Sequence, residues 1–393
     1  MRDAFPYESP IGFRRIIGNL NFESTLGSRG RDTLPTQVEL RISLLATLMR
    51  VFGESTDRLW TSAPVDASCL LTVPNLPHPK LESGALSELD DAVAVLPWAV
   101  TNEVEQLRRH TKLTRAQPPA DEISIAARLW SCPSTDAAIA STVNDREFCH
   151  ELATAEDLTL SGALILSSVS ELERHLAAGG ARMSPQERWV LKARFSAAGR
   201  ERVLGQGRLT EELRRRVASL FRRHDRLLFE PWLSRELDVG TAAIHDGETC
   251  HVVGAHLQHM DGYGRIQSIE VGRAATESLT PAENEEIQRV TKVVGERLAA
   301  CGYRGAFGID AWRYRDANDE FHFHPLGEIN ARLTFGFVAH ALVERLHESL
   351  GVNSDTTLVL HLTERDISPT AHEIPLVLST SEGRSVASLE IRR

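Results

Sequence analysis

At 393 residues the chain exceeds the usual reach of one hydrophobic core, so two or three domains are expected. Its composition, 42% hydrophobic and 25% charged, is that of a globular protein, and no apolar run of about 18 residues offers a membrane span. A net charge of −10 disfavours nucleic acid and anionic membranes as partners. The five cysteines are scattered without a CxxC pair, so neither a disulfide framework nor a zinc knuckle is indicated. The first residues lack an apolar signal core and a small-residue cleavage site, and a cytoplasmic protein is expected.

In chain order, "RRIIGNLNF" and "RLWTSAPV" read as strands, and "QVELRISLLATLMRVFG" as a helix ending at Gly53. "VTNEVEQLRRH" is a short helix capped by Thr101 or Asn102. Alternating strands and helices suggest an α/β unit over residues 1–125, and the breaker-rich "TRAQPPADE" is the candidate boundary. Ser168 and Glu171 form a capping box opening "VSELERHLAAGG", which stops at Gly179–Gly180. "RWVLKARF" follows as a strand. Thr210 caps the arginine-rich helix through Phe221, whose arginines read as a solvated face, and "RLLFEPWL" is the next strand. "TAAIHDGETCHVVGAHLQH" reads as a hairpin turning at "HDGE". Thr280, Pro281 and Glu283 open a helix with Ile287, Val290, Val294 and Leu298 on one face. A second hairpin pairs "GAFGIDAWRY" with "FHFHPLGEIN".

That second hairpin holds the densest chemistry. Residues two apart on a strand share a face, so Asp310 lies with Trp312 and Tyr314, and Glu328 with Asn330. If the two faces coincide, two carboxylates and an amide oxygen converge, a hard-ligand set suited to Mg²⁺. Arg332, one step on, suits a phosphate or an oxyanion. His322 and His324 read as hairpin-tip histidines, with Pro325 expected to disturb the strand's alternation. His251, His256 and His259 read as chance spacing, and Arg265 as a loop arginine able to reach a substrate carboxylate. Cys149 and Cys301 read as core. There is no GxSxG elbow and no GxxxxGK[ST] loop.

Taken together, four segments from Val143 to Ala341 resemble the ATP-grasp superfamily in their order. In "VNDREFCHEL", Arg146 follows Asp145 where members often carry a lysine. "WVLKARFSAAGRERV" carries Lys192 and then a small-residue loop, Ser196 to Gly199. "LLFEPWL" resembles the hinge strand, with Glu230 and Leu233 toward the adenine and Glu236 or Asp238 toward the ribose. The fourth segment is the Asp310, Glu328 and Asn330 set, followed by Arg332 in an E-x-N-x-R pattern like that of the biotin-carboxylase-like branch. Members resembling the D-alanine ligases carry an arginine where this chain has Gly308.

The resemblance implies an α/β (α+β) protein with the ATP-grasp fold, two α+β subdomains sandwiching ATP. A pre-ATP-grasp-like α/β domain (1–125) precedes the ATP-grasp domain (126–350), whose lid-type subdomain spans 156–230, and residues 351–393 form an extension of open role. It implies ATP and Mg²⁺, with Mn²⁺ as a substitute, and small-molecule carboxylate and amine substrates. It leaves room for a homodimer. In this reading Arg146, Lys192, Ser196 and Gly199 hold phosphates, Glu230, Leu233 and Asp238 hold adenosine, and Asp310, Glu328 and Asn330 hold metal. Arg332 and Lys192 act in catalysis, the former at the oxyanion. The activity implied is ADP-forming ligation of a carboxylate to an amine through an acyl phosphate. An ATP-grasp kinase acting on a hydroxyl, and a catalytically silent nucleotide-binding module, are the alternatives.

Overall fold

The computed structural model describes residues 13–22, 34–89, 92–109, 124–133, 135–178, 188–195, 201–262, 264–316, 318–353, 355–366, 373–379 and 384–392. Ser196, Gly199, Gly179–Gly180 and all of "TRAQPPADE" lie outside them.

Strands β1 (Arg14–Gly18), β2 (Arg58–Thr61), β3 (Lys80–Glu82) and β4 (Ala94–Pro97) form a parallel sheet in the order β3-β2-β1-β4. Helices cover both faces, which is why β1 carries no alternation and is buried from Arg15 onward. Ile16 packs with Leu44, Leu48 and Phe52 of the helix Thr36–Ala46 and its 3₁₀ continuation, while Ile17 joins Val104 and Leu107 of the helix Asn102–Arg109. Thr101 caps the latter, accepting from the Val104 amide at 3.3 Å. The fully buried Arg15 is paired with Glu82 at 3.0 Å.

Strands β5 (Leu164–Leu166), β6 (Arg188–Ala193), β7 (Arg202–Gln206) and β8 (Leu227–Pro231) form a small antiparallel sheet, ordered β5-β8-β6-β7. The helices Val169–Ala178 and Glu211–Arg223 back it, burying Leu172, Leu176, Val217 and Leu220 against Trp189, Leu191 and Phe229. The arginine-rich face of the second helix looks outward. Arg214 pairs with Glu173 there, and Arg223 with Glu201.

The remaining strands are β9 (Ser234–His245), β10 (Cys250–Met260), β11 (Ile266–Gly272), β12 (Gly305–Arg315), β13 (Phe321–Asn330), β14 (Thr357–His361), β15 (Glu373–Leu378) and β16 (Ser385–Arg392). They form one antiparallel sheet ordered β13-β12-β9-β10-β11-β14-β16-β15. The helix Pro281–Ala300 begins with the expected capping box at Thr280 and Glu283. Its Val290, Val294 and Leu298 pack under Phe307, Ile309 and Ile329, closing one face of the sheet. Strands β14 to β16 complete the sheet's far side. Their core is continuous with that of the parallel sheet, since Leu358, Leu376 and Leu389 share a cluster with Ile16, Val51 and Phe52. Arg50, fully buried, ties the two units by donating to the carbonyls of Leu71 and Leu376 at 3.0 and 3.2 Å.

Two residue-level expectations need correction. Cys301 is exposed, because it is the C-cap of its helix and lies past the last buried turn. His324 is not at the hairpin tip but buried, its ring centroid 4.7 Å from that of Trp312. His322 does sit near the turn, against Asp316 at 3.2 Å.

Candidate nucleotide and metal site

The face of the large sheet away from the helix Pro281–Ala300 carries the polar residues. Strand pairing sets Asp310 directly opposite Glu328 on one side and Gly240 on the other, and Gly308 opposite Asn330. Asp238 lies opposite both Trp312 and Gln258, and His256 opposite Gly240. Period-two alternation therefore brings Asp310, Glu328 and Asn330 onto one surface. The alternation survives Pro325 because the register slips between the Asp310–Glu328 and Trp312–His324 pairs, with residues 325–327 of β13 facing Ala311 alone.

Asp310 is held from two sides. Gln258 Nε2 donates to Oδ1 at 2.9 Å and Asn330 Nδ2 to Oδ2 at 3.1 Å. Burial, and then the neighbouring Glu328 carboxylate, push its pKa up to about 6 against the pull of Gln258, Arg332 and Asn330. Arg332 donates to Asn330 Oδ1 at 2.9 Å and to the Leu333 carbonyl at 3.1 Å. Two facing, part-buried carboxylates form a donor set that a hard divalent cation fits, and Asn330 would add its amide oxygen on turning away from Arg332. Gly308 leaves no room for a side chain beside this set, since a Cβ there would lie 2.9 Å from Thr334 Cγ2.

Arg146, expected to hold a phosphate, is engaged within the protein. Its Nη2 donates to Glu328 Oε1 at 2.8 Å and its Nη1 to the Ala193 carbonyl at 2.7 Å, linking the small sheet to the large one. Asp145, the N-cap of the helix Arg146–Ala155, is held by Arg194.

On the small sheet, Lys192 Nζ lies 2.5 Å from Glu230 Oε2, a diagonal pair across β6 and β8 with both side chains nearly buried. Burial alone would push the Glu230 carboxyl up. The Lys192 ammonium, helped by Arg235 and His324, more than offsets this and holds its pKa below the usual range. Leu233 follows in the connection to β9, part-buried. Asp238 accepts from Arg235 at 2.9 Å, whereas Glu236 pairs with Arg315 at 2.9 Å, farther toward the hairpin tip. Arg265 folds back onto Asp261 within its own loop.

The sequence reading gave no role to Gln258, His256 or Trp312, which share the face of Asp310. Gln258 and His256 are spaced by two on β10, the same signal that drew attention to Glu328 and Asn330. They were masked by a histidine-rich run in which His251 and His259 simply pair with Asp246 and Glu270. His256 is 1% exposed and its ring lies 5.7 Å from that of His340.

No protein-family model matches the sequence, and no curated protein matches it. Solved structures do. A biotin carboxylase from Campylobacter jejuni, in complex with β,γ-ATP, superposes with a TM-score of 0.56 at 13% identity, covering 96% of this chain and 87% of that one. The biotin carboxylase domain dimer of 2-oxoglutarate carboxylase from Hydrogenobacter thermophilus, bound to MgADP, ADP and bicarbonate, gives 0.57 at 12% identity over 98% and 87%. N5-carboxyaminoimidazole ribonucleotide synthetase from Thermus thermophilus gives 0.53 at 15% identity over 97% and 94%. All three are ATP-grasp enzymes, and the match runs through the N-terminal sheet as well as the two antiparallel ones. The chain has the ATP-grasp fold, N-terminal domain included.

Proposed function

We propose that the protein is an ATP-dependent ligase that joins a carboxylate to an amine through an acyl phosphate, releasing ADP and phosphate. The observation that carries this reading is the Asp310–Glu328 pair with Asn330 and Arg332 beside it. Asp310, Glu328 and Asn330 would hold Mg²⁺, whose charge would stabilise the negative oxygens of the phosphoryl group. Lys192 and Arg146 bind phosphate oxygens, Ser196 and Gly199 cover them, and Glu230, Leu233 and Asp238 hold the adenosine. Arg146 must release Glu328 to take this role. Residues 1–125 form the N-terminal domain, 126–350 the ATP-grasp domain with 156–230 its lid, and 351–393 an extension whose strands β14 to β16 complete the large sheet.

In the chemical step the substrate carboxylate attacks the γ-phosphorus and the bond to the β,γ-bridging oxygen breaks, giving the acyl phosphate and ADP. The amine then adds to the acyl carbon. Arg332 balances charge on the tetrahedral oxyanion before phosphate departs. Two solved relatives in fold are a biotin carboxylase and an N5-carboxyaminoimidazole ribonucleotide synthetase, and both names denote small-molecule chemistry.

Hydroxylamine tests the reading because it stands in for the unknown amine. The protein is incubated with Mg-ATP, hydroxylamine and pools of amino acids, short peptides and other carboxylates, and ADP and hydroxamate are measured together. Equal yields of the two support acyl-phosphate chemistry and name the acid. ADP without hydroxamate refutes it in favour of phosphorylation of a hydroxyl.

A further inference from the structure

We propose that Arg235 is a displaceable cover on the ring of Trp312, and that a nucleotide binds by exchanging this guanidinium–indole contact for a stack of its purine base on the same ring. The proposal rests on the nucleotide reading above. Trp312 occupies the polar face of the large sheet, two residues beyond Asp310 and directly opposite Asp238. An indole at such a place would ordinarily be open, yet it is only 3% exposed. Room has been made for the ring from one side, since a Cβ at Gly327 would lie 1.8 Å from Trp312 Cζ3. His324 flanks it at 4.7 Å. The remaining cover is Arg235, whose guanidinium carbon lies 3.7 Å from the ring centroid.

That cover is lightly held. The Arg235 side chain is 33% exposed, and its ion pair with Asp238 three residues away is of the kind that contributes little in water. Trp312 Nε1 is buried and without a hydrogen-bond partner, which is unusual for a tryptophan kept only for packing. A guanidinium and a purine are both flat, and both stack on an indole face. The neighbourhood suits the exchange: Glu230 and Lys192 lie close enough to His324 to influence its charge, so the hinge strand and the indole border the same space. Once displaced, Arg235 keeps its tether to Asp238 and remains at the rim.

Calorimetric titration of the full chain with MgADP and with adenosine tests this. Adenosine has no phosphate, so the loss of a positive charge near the phosphates of MgADP cannot hide the effect. Arg235→Ala is expected to bind adenosine about 3- to 10-fold more tightly, the cover being gone. Trp312→Ala is expected to bind both ligands about 10-fold or more weakly, while Trp312→Phe stays within about 3-fold of the parent. If Arg235→Ala binds adenosine equally or less tightly while the parent binds MgADP, the cover is refuted and the nucleotide reading stands. If the parent binds neither ligand, the nucleotide reading fails and the proposal with it. Arg235 is part-exposed, so its variant decides the matter even if Trp312→Ala does not fold.

Discussion

Arg146 and Glu328, 182 residues apart, meet at 2.8 Å and place a guanidinium on one of the two carboxylates proposed to hold metal. The same arginine grips the Ala193 carbonyl at the end of the strand that carries Lys192. The contact neutralises part of a charge pair whose other half, Asp310, is driven toward its protonated form by burial and by Glu328. A divalent cation arriving alone competes with Arg146 for Glu328. We expect Arg146→Ala to bind Mn²⁺ about 3- to 10-fold more tightly than the parent without nucleotide, read from the free-ion signal in electron paramagnetic resonance. Unchanged or weaker Mn²⁺ binding would show that the pair does not guard the carboxylates.

Glu328→Gln keeps the shape and removes the charge. With the metal assignment correct, Mg²⁺-dependent ATP turnover should fall by about 100-fold or more while the circular dichroism spectrum and melting temperature hold. Turnover within a few-fold of the parent would disprove the assignment.

The Lys192–Glu230 pair is nearly dry, with 14% and 9% of the two side chains exposed. Removing one member strands the other, a loss of about 3 kcal/mol, whereas replacing both by apolar groups costs far less. Lys192→Met should lower the unfolding free energy by that amount in urea, and adding Glu230→Leu should restore most of it. A double variant no more stable than the single one would mean that the pair is not coupled.

His256 and His340 are kept neutral by burial, His340 with a pKa near 4 and His256 well below its usual range. Both folded-state values are depressed, so the unfolded chain takes up the protons first and stability is lost as pH falls. The loss begins near pH 6.5 and, for His340, continues to about 4. His340 is part-buried as a residue, which tempers its share to about 2 kcal/mol. His340→Gln should flatten the fall of melting temperature between pH 6.5 and 4. An identical pH profile in the variant would exclude the histidine as its source.

What the sequence disclosed follows from locality. The capping box at Thr280, the face of Val290, Val294 and Leu298, and the alternation through Asp310 and Glu328 all depend on residues a few positions apart. What it hid depends on distant pairing. Gln258 reaches Asp310 across 52 residues, through a register set only when β9 lies between β10 and β12. The slip at residues 325–327, which buries His324 against Trp312, has only Pro325 and Gly327 as local signs. Arg146 reads as a phosphate ligand from its motif, and its grip on Glu328 appears only when the two antiparallel sheets face each other.

The strand β16 lies between β14 and β15, and all three close over apolar side chains contributed by the first hundred residues. On a ribosome that makes the protein from its N-terminus, Ile16, Val51 and Phe52 are therefore synthesised long before Leu376 and Leu389 exist to cover them. The early part of the nascent chain must wait, half-finished, with Arg50 lacking its Leu376 carbonyl. Nascent chains arrested before Thr357 should be bound by holdase chaperones and cut readily by proteases, and lengthening them through Arg392 should abolish both.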